Sequence, residues 1–100
     1  MDIDWIKKCI FNNSYYFTSH ADIERMNDNL KIIDIEQAIL SGRILEIYKN
    51  DIRGHSCLIV GFSDNAIPIH IVCGERNNKL VIITVYIPKP PKFKNPFERS

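Results

Sequence analysis

The sequence lacks most of the residues that mark specialised classes of protein. Its four glycines are not clustered, which excludes the glycine-rich loop that binds phosphates in nucleotide-binding proteins. Its three cysteines are an odd, widely spaced set without a Cys-x-x-Cys pair, so neither a disulfide framework nor a structural zinc site is indicated. The longest apolar run, residues 80–87, is too short to span a bilayer, and the acidic N-terminus does not resemble a signal peptide. We therefore expect a cytoplasmic, reduced protein without metal, cofactor or membrane contact.

What is present is the composition of one folded domain, with 45% apolar and 25% charged residues in a chain of 100. The net charge of +1 is far from the basic excess of a typical nucleic-acid-binding protein. We predict a single α+β domain over residues 1–93, followed by a basic, flexible tail over residues 94–100. The basic residues of the C-terminal end, with aromatic residues among them as in a nucleic-acid-binding arm, are Lys89, Lys92, Lys94 and Arg99.

The first helix is predicted between Asp4 and Phe11, where apolar residues recur at helical spacing. Asp2 or Asp4 is suited to cap it, because a carboxylate accepts hydrogen bonds from the free N–H groups of a helix start. The aromatic residues 15–17 that follow predict a short strand or an extended packing segment.

Two further helices are predicted before residue 43. Ser19 is the expected N-cap of the second helix, and Asp22 stands at the position that completes a capping box. Asp34 is the expected N-cap of the third helix, with Gln37 completing its box. Gly42 is expected to end this helix in the left-handed conformation.

From residue 43 onward apolar residues alternate with a period of two, which predicts strands. Turn residues at 50–54, 63–65 and 76–78 separate four such segments, and short connections favour antiparallel pairing. The fold class is therefore α+β, with a four-stranded antiparallel sheet in the C-terminal half packed against two or three N-terminal helices. The predicted strands are Arg43 to Tyr48, Cys57 to Phe62, Ile67 to Glu75 and Lys79 to Ile87.

The register of the last predicted hairpin decides which side chains meet. Pairing Glu75 with Lys79 places only apolar residues on one face, which must then form the core. The same register sets His70 opposite Thr84 on the other face, with Tyr86 nearby. We therefore predict that these three polar side chains share one neighbourhood.

Four short pieces of sequence resemble a known family in their order and gaps. The resemblance, from about Tyr15 to Phe93, is to a bacterial family of domains of unknown function related to the RelE/ParE-like toxins and nearest in style to BrnT. It implies a small antiparallel sheet backed by helices and a toxin-like protein neutralised by a cognate antitoxin. The pieces are Thr18-x-His20-Ala21-x-x-x-Arg25-Met26, Gly42-x-Ile44-Leu45-Glu46-x-Tyr48, Pro68-x-His70-Ile71-Val72 and Ile83-Thr84-Val85-Tyr86-x-Pro88.

The resemblance further implies RNA cleavage without metal, often of mRNA on the ribosome, although other relatives of the fold act on gyrase. Such cleavage needs a base for the 2′-hydroxyl, an acid for the leaving oxygen and a cation near the phosphate. His70 is the first candidate for acid or base, and Tyr86 is the second donor. The full set of catalytic candidates is His70, Tyr86 and His20, and the substrate-binding candidates are Arg25, Arg43, Thr84 and Lys89.

Each candidate also has a structural interpretation. His70 is explained equally by a hydrogen bond to Thr84 or to a backbone carbonyl within the sheet. His20 is explained by packing at a helix start. Arg25 is explained by a local pair with Asp22, three residues earlier on the same helix.

Two functional hypotheses from different classes follow. The first is the toxin of a toxin–antitoxin pair, acting as a metal-independent ribonuclease or translation inhibitor. The alternative is a non-catalytic protein-interaction or binding module on the same fold, which the near-neutral charge favours. Pairing of an exposed edge strand with a second copy is left open.

Overall fold

The fold places three helices on one face of a five-stranded sheet, in a computed structural model that describes residues 1–49 and 55–100. The turn predicted at residues 50–54 lies outside the described residues. The helices are α1 (Ile3–Phe11), α2 (Ser19–Asn27) and α3 (Ile32–Ser41). The strands are β1 (Tyr15–Phe17), β2 (Arg43–Tyr48), β3 (Ser56–Phe62), β4 (Pro68–Arg76), β5 (Lys79–Tyr86), β6 (Phe93–Asn95) and β7 (Glu98–Arg99).

The first two helices begin at side-chain caps. Asp2 caps α1 by accepting a hydrogen bond from the backbone N–H of Trp5 at 2.9 Å. Thr18 caps α2, since its hydroxyl accepts from the N–H of Ala21 at 3.1 Å. The prediction that Ser19 is this cap is wrong by one residue, because Thr18 is the last extended residue after β1.

The start of α3 lies earlier than predicted. Asp34 is not the cap but stands within the first turn, where its carboxylate accepts from the N–H of Lys31 at 2.8 Å. Gln37 does not complete a capping box. Its side-chain amide instead bonds the carboxylate and the backbone N–H of Asp64, at 2.6 and 2.9 Å. This pair fixes the β3–β4 turn to α3.

Two glycines allow α3 to lie directly on β3. Gly42 has an extended backbone, with φ −90° and ψ 177°, so the predicted left-handed stop is wrong. A Cβ atom at Gly42 would lie 2.6 Å from the carbonyl oxygen of Ala38, and one at Gly61 would lie 1.7 Å from the same atom. Both positions therefore require glycine for close approach of helix and strand.

The sheet has the order β1-β5-β4-β3-β2, with one parallel pair between β1 and β5. The predicted four-stranded antiparallel sheet is therefore corrected to a mixed sheet of five strands in the described chain. The additional strand is β1, which the sequence offers only as three aromatic residues. A parallel partner far along the chain leaves no local pattern, so pairing of Tyr16 with Val81 was not foreseeable.

The β4–β5 hairpin turns on two residues, Asn77 and Asn78, both with positive φ of 54° and 62°. Asparagine tolerates this region, which a two-residue hairpin turn with the twist of the sheet requires. Arg76 therefore pairs with Lys79, and the predicted pairing of Glu75 with Lys79 is wrong by one residue.

The one-residue shift alone would turn the side chains of β5 to the opposite faces of the sheet. A β-bulge in β5 reverses that exchange for the residues beyond it. The register changes after Cys73, which is opposite Ile82, so that Ile71 meets Val85 instead of Thr84. The helix-facing side of the hairpin remains apolar as a result. The same bulge places His70 directly opposite Tyr86.

Helix α2 covers the part of the outer edge of β5 that does not pair with β1. Glu24 accepts the backbone N–H of Val85 at 3.0 Å, and Asp28 accepts that of Ile87 at 3.3 Å. Residues four apart lie on one side of a helix, so the two carboxylates follow the strand edge. This contact satisfies donors that would otherwise invite pairing with another chain.

The helices bury one face of the sheet in a continuous apolar core. No helix in the described parts of the chain is long and apolar enough to cross a membrane. The thiols of Cys57 and Cys73 oppose each other in this core, with their Sγ atoms 3.8 Å apart. The core residues with no exposed surface are Ile6, Ala21, Ile35, Ala38, Ile39, Ile59, Ile69, Ile71, Cys73, Leu80, Ile82 and Val85.

Candidate functional site

The sheet face opposite the helices, here called the second face, carries four of the seven predicted site residues. Strand pairing aligns neighbouring residues of β2 to β5 into rows across this face. One row consists of Arg43, Val60, His70 and Tyr86. The next row consists of Glu46, Leu58, Val72 and Thr84.

His70 is fully buried at the centre of the second face, with both ring nitrogens hydrogen-bonded. Its Nε2 lies 2.6 Å from the carbonyl oxygen of Pro96, which can only accept, so Nε2 carries a proton. In the neutral ring Nδ1 then accepts from the hydroxyl of Tyr86 at 3.2 Å. The predicted neighbourhood of His70 and Tyr86 is thus a direct contact.

The surroundings of His70 favour its neutral form. Burial lowers the pKa of His70, as do the positive charges of Arg99 and Lys92, and together these outweigh the hydrogen bond to Pro96 and the charge of Glu46, which raise it. Burial likewise raises the pKa of Tyr86, which keeps its hydroxyl protonated and able to donate. The pair is therefore a neutral imidazole beside a neutral phenol.

Residues 92–99, here called the C-terminal strap, fold back over His70. They contain the short β6–β7 hairpin. The ring of Phe93 is 1% exposed and meets the imidazole edge to face, with centroids 4.5 Å apart. Burial of one such phenylalanine contributes about 1.5–3 kcal/mol. The flexibility predicted for residues 94–100 stays a prediction, since it concerns motion.

A second contact joins the C-terminal strap to the edge strand β2. Arg99 donates from Nε and Nη2 to the two carboxylate oxygens of Glu46, at 2.7 and 2.8 Å. Tyr48 donates its hydroxyl to the same carboxylate at 2.6 Å. These two partners lower the pKa of Glu46 to about 2, so this carboxylate is charged at neutral pH.

Three cations rest on aromatic rings around His70. The guanidinium of Arg43 lies 5.0 Å from the ring centroid of Phe97, and the ammonium of Lys92 lies 5.6 Å from that of Tyr86. Arg99 contacts the ring of Phe93 in the same way at 4.8 Å. Within the described residues Arg43 and Lys92 have no carboxylate partner, which leaves positive charge at the rim of the second face.

His20 and Arg25 lie on α2, away from the second face. His20 is 70% exposed, with Nε2 3.2 Å from a carboxylate oxygen of Glu24. Arg25 donates to the carboxylate of Asp22 at 2.7 Å and to the carbonyl of Leu30 at 3.2 Å. The local Asp22 pair considered from the sequence is therefore present, and these bonds secure the end of α2.

Lys89 is exposed in the segment between β5 and the C-terminal strap. Its carbonyl accepts the backbone N–H of Phe93 at 3.1 Å, which starts the return of the chain over the sheet. Thr84 lies on the second face opposite Val72, two residues from Tyr86. The structure thus brings together Arg43, His70, Thr84 and Tyr86, with Lys89 at the margin.

Metal-binding residues are not grouped in residues 1–49 and 55–100, where no set of three His, Cys, Asp or Glu side chains converges. His70 and Cys73 have a suggestive spacing in the sequence. The imidazole lies on the second face, whereas the thiol lies in the core beneath the helices.

Four residues of this region were not among the predicted site residues: Glu46, Tyr48, Phe93 and Arg99. The pair Glu46-x-Tyr48 carried a usable signal, since residues two apart on a strand share a face. Arg99 and Phe93 carried none, because nothing in the local pattern of a short C-terminal segment indicates which strand it will contact.

Comparison with known proteins places most of this structure in one family. The model of a domain of unknown function, DUF4258, matches residues 17–87. The match includes β2 to β5 and their second face, and it ends before the C-terminal strap. No curated protein and no solved structure matches the chain.

Proposed function

The chain belongs to the DUF4258 family of domains of unknown function, and we propose that it is a toxin-like, metal-independent endoribonuclease or translation inhibitor. In this proposal it is related to the bacterial RelE/ParE-like toxins, nearest to BrnT, and a cognate antitoxin neutralises it. The substrate is RNA, either free or on the ribosome.

The observation that carries the proposal is the hydrogen-bonded pair of His70 and Tyr86 on a face with the unpaired cation of Arg43 at its rim. Metal-free RNA cleavage requires a proton acceptor, a proton donor and positive charge near the phosphate. His70 serves as the first two groups in turn, and Tyr86 holds its ring in position. Arg43 provides the third, because no carboxylate in the described residues neutralises it.

His70 is suited to act as the base because a neutral imidazole can accept a proton near neutral pH. When Nε2 is released from Pro96, the ring can hold its proton on Nδ1, and the Tyr86 hydroxyl then accepts that hydrogen bond. Nε2 is then free to take the proton of a ribose 2′-hydroxyl. Attack of the 2′-oxygen on phosphorus would form a 2′,3′-cyclic phosphate and break the bond to the 5′-oxygen.

The remaining roles concern charge and the leaving oxygen. Arg43 lies in the same row as His70, so its guanidinium can contact the phosphate oxygens as negative charge develops. The protonated His70 that results can return its proton to the 5′-oxygen. Tyr86 holds the ring in place throughout and is a positioning residue.

A second candidate function is a non-catalytic binding module. It is favoured by the burial of His70, whose two nitrogens are already occupied by Tyr86 and Pro96. A histidine with these bonds also serves as a link between the sheet and the C-terminal strap. The experiment below separates the two functions.

The test begins with tight induction of the full chain in a bacterial host, wild type beside His70→Ala, with soluble expression of both verified. We expect growth arrest with the wild type and none with the variant. The purified protein is then incubated with a single-stranded RNA oligonucleotide in the presence of EDTA. Cleavage that leaves a cyclic phosphate, and that is absent from the 2′-deoxy oligonucleotide, is the expected outcome.

Two hydroxyl variants separate a catalytic role from a loss of stability. Tyr86→Phe removes the bond to His70, whereas Tyr48→Phe removes a bond on the same face that goes to Glu46. Each should cost about 1 kcal/mol of unfolding free energy, but only the first should slow cleavage. Arrest by His70→Ala equal to that of wild type would refute the site, and an inactive, well-folded wild type would favour the binding module.

A further inference from the structure

We propose that the C-terminal strap is an autoinhibitory cover, which must leave the second face before a ligand can reach His70. This inference rests on the proposed function and adds a regulatory step to the same site. It is drawn from the contacts between the strap and the sheet.

Three contacts of different kinds join the strap to His70 and Glu46. Phe93 is buried against the imidazole, the carbonyl of Pro96 accepts from Nε2, and Arg99 forms a two-bond pair with Glu46. These three contacts fall on two strands, since His70 lies in β4 and Glu46 in the edge strand β2. Ring contacts of Phe97 with Phe62 and of Lys92 with Tyr86 extend the strap over β3 and β5. The strap thus spans the second face and is not an extension of the sheet.

These contacts occupy the features that the proposed reaction needs. The Nε2 atom that would take the 2′-hydroxyl proton is donating to Pro96. The guanidinium that would meet the phosphate, that of Arg43, lies on the ring of Phe97 in the strap. An RNA strand cannot reach Nε2 of His70 while the strap is in place, whereas Arg43 remains exposed at the rim beside the ring of Phe97.

The closed strap also lowers the apparent affinity for a ligand, because only molecules with an open strap can bind it. A strap of eight residues held by one buried ring and a few polar contacts is a local unit that can open without unfolding the sheet. The family match ends at residue 87, before the strap begins. The strap therefore lies outside the matched residues and covers one face of the matched domain.

Release of the strap is tested with two double variants of the full chain. Phe93→Ala/Arg99→Ala removes the buried ring from the imidazole and the two-bond pair from Glu46. Lys94→Ala/Glu98→Ala is the matched control, because this pair lies on the exposed side of the strap with both side chains 59% exposed. Both variants have the full chain length, and each carries two substitutions.

Accessibility of His70 is measured as its rate of acylation by diethyl pyrocarbonate, read by mass spectrometry. His20, with a side chain 70% exposed, is the internal reference. We expect the wild type and the control to react slowly at His70, and the loosened variant to react at least about tenfold faster. The circular dichroism spectrum must be that of wild type, and Arg99→Ala alone replaces the double variant if it is not.

The same proteins are compared in the RNA cleavage assay with EDTA. We expect the loosened variant to cleave faster than wild type and the control to match wild type. Acylation of His70 in the wild type as fast as that of His20 would overturn the cover. Faster acylation with unchanged or reduced cleavage would overturn autoinhibition, because the strap would then be a plain structural cover or part of the site.

Failure of the autoinhibition proposal and failure of the proposed function give different experimental results. If the wild type and the loosened variant both lack ribonuclease activity while His70 becomes accessible, the proposed function fails and autoinhibition of it fails with it, but the cover is real. If both proteins cleave RNA equally and His70 is equally accessible in both, the function holds and the strap inference alone is wrong.

Discussion

At the scale of single residues, His70 is the most constrained side chain of the second face. It is buried with two hydrogen bonds, one to a side chain and one to a backbone carbonyl. Burial disfavours the charged ring, and the cations of Lys92 and Arg99 disfavour it further. The residue therefore combines a structural link with the protonation state that a general base needs.

This environment predicts a specific pH dependence of stability. The pKa of His70 is lowered in the folded chain, so the unfolded chain binds more protons just below the ordinary value of about 6.5. Its contribution is fully present above that value and declines as the pH falls. Imidazole NMR should show the low pKa directly, and the free energy of unfolding should fall more between pH 7 and 5 in wild type than in His70→Gln.

Tyr48→Phe is the control for this prediction. It removes a hydrogen bond on the same face without touching His70, so the decline between pH 7 and 5 should persist. A wild type and His70→Gln with equal pH dependence in this range would contradict the prediction.

At the scale of elements, the contact of α3 with β3 depends on the absence of side chains. Gly61 and Gly42 let the helix backbone approach the strand so closely that an added Cβ would meet the carbonyl oxygen of Ala38. The same strand supplies Val60 to the second face. The contact between α3 and β3 therefore also sets the position of the row that contains Val60 and His70.

Gly61→Ala should therefore be strongly destabilising. The new methyl group would lie 1.7 Å from backbone that cannot move without shifting α3, and overpacking of this kind costs about 1–3 kcal/mol or more. Gly74→Ala is the matched control in the neighbouring strand, where the nearest atom would be 3.1 Å away. Urea denaturation should show a much larger loss for Gly61→Ala, and equal losses would refute the close-approach explanation.

At the scale of the whole molecule, the pair of Glu46 and Arg99 joins residues 53 positions apart. It connects the C-terminal strap to the far edge of the sheet, while α2 closes the opposite edge through Glu24 and Asp28. The two faces of the sheet are therefore covered by different parts of the chain. The helices cover one, and the strap covers the other.

Acid should weaken the connection between the C-terminal strap and β2, because this connection depends on the charge of Glu46. The pKa of Glu46 is lowered to about 2 by Arg99 and Tyr48, so its contribution is present above the unfolded value of about 4.5 and declines as the pH falls towards 2. Denaturation at pH 7, 4.5 and 3 should show a larger loss for wild type than for Arg99→Ala. Lys89→Ala, which removes an exposed cation without a carboxylate partner in the described residues, should behave as wild type, and identical profiles for all three would refute the link.

The sequence by itself determined the local elements. Alternation of apolar residues located β2 to β5, and helical spacing located α1 to α3. The predicted hairpin placed His70 and Tyr86 on one face, although its register differs by one residue from the observed one. These features depend on neighbours in the chain, so each strand or helix carries its own signal. The family match over residues 17–87 agrees with the part of the resemblance that concerns an uncharacterised domain.

The tertiary structure decided what depends on distant pairing. The parallel strand β1, the bulge that sets His70 against Tyr86, and the backbone contacts of Gly42 and Gly61 all require a partner that is remote in sequence. The return of the C-terminal strap over His70 belongs to the same class. Burial of an aromatic ring depends on the surface it finds, and only the folded sheet presents that surface.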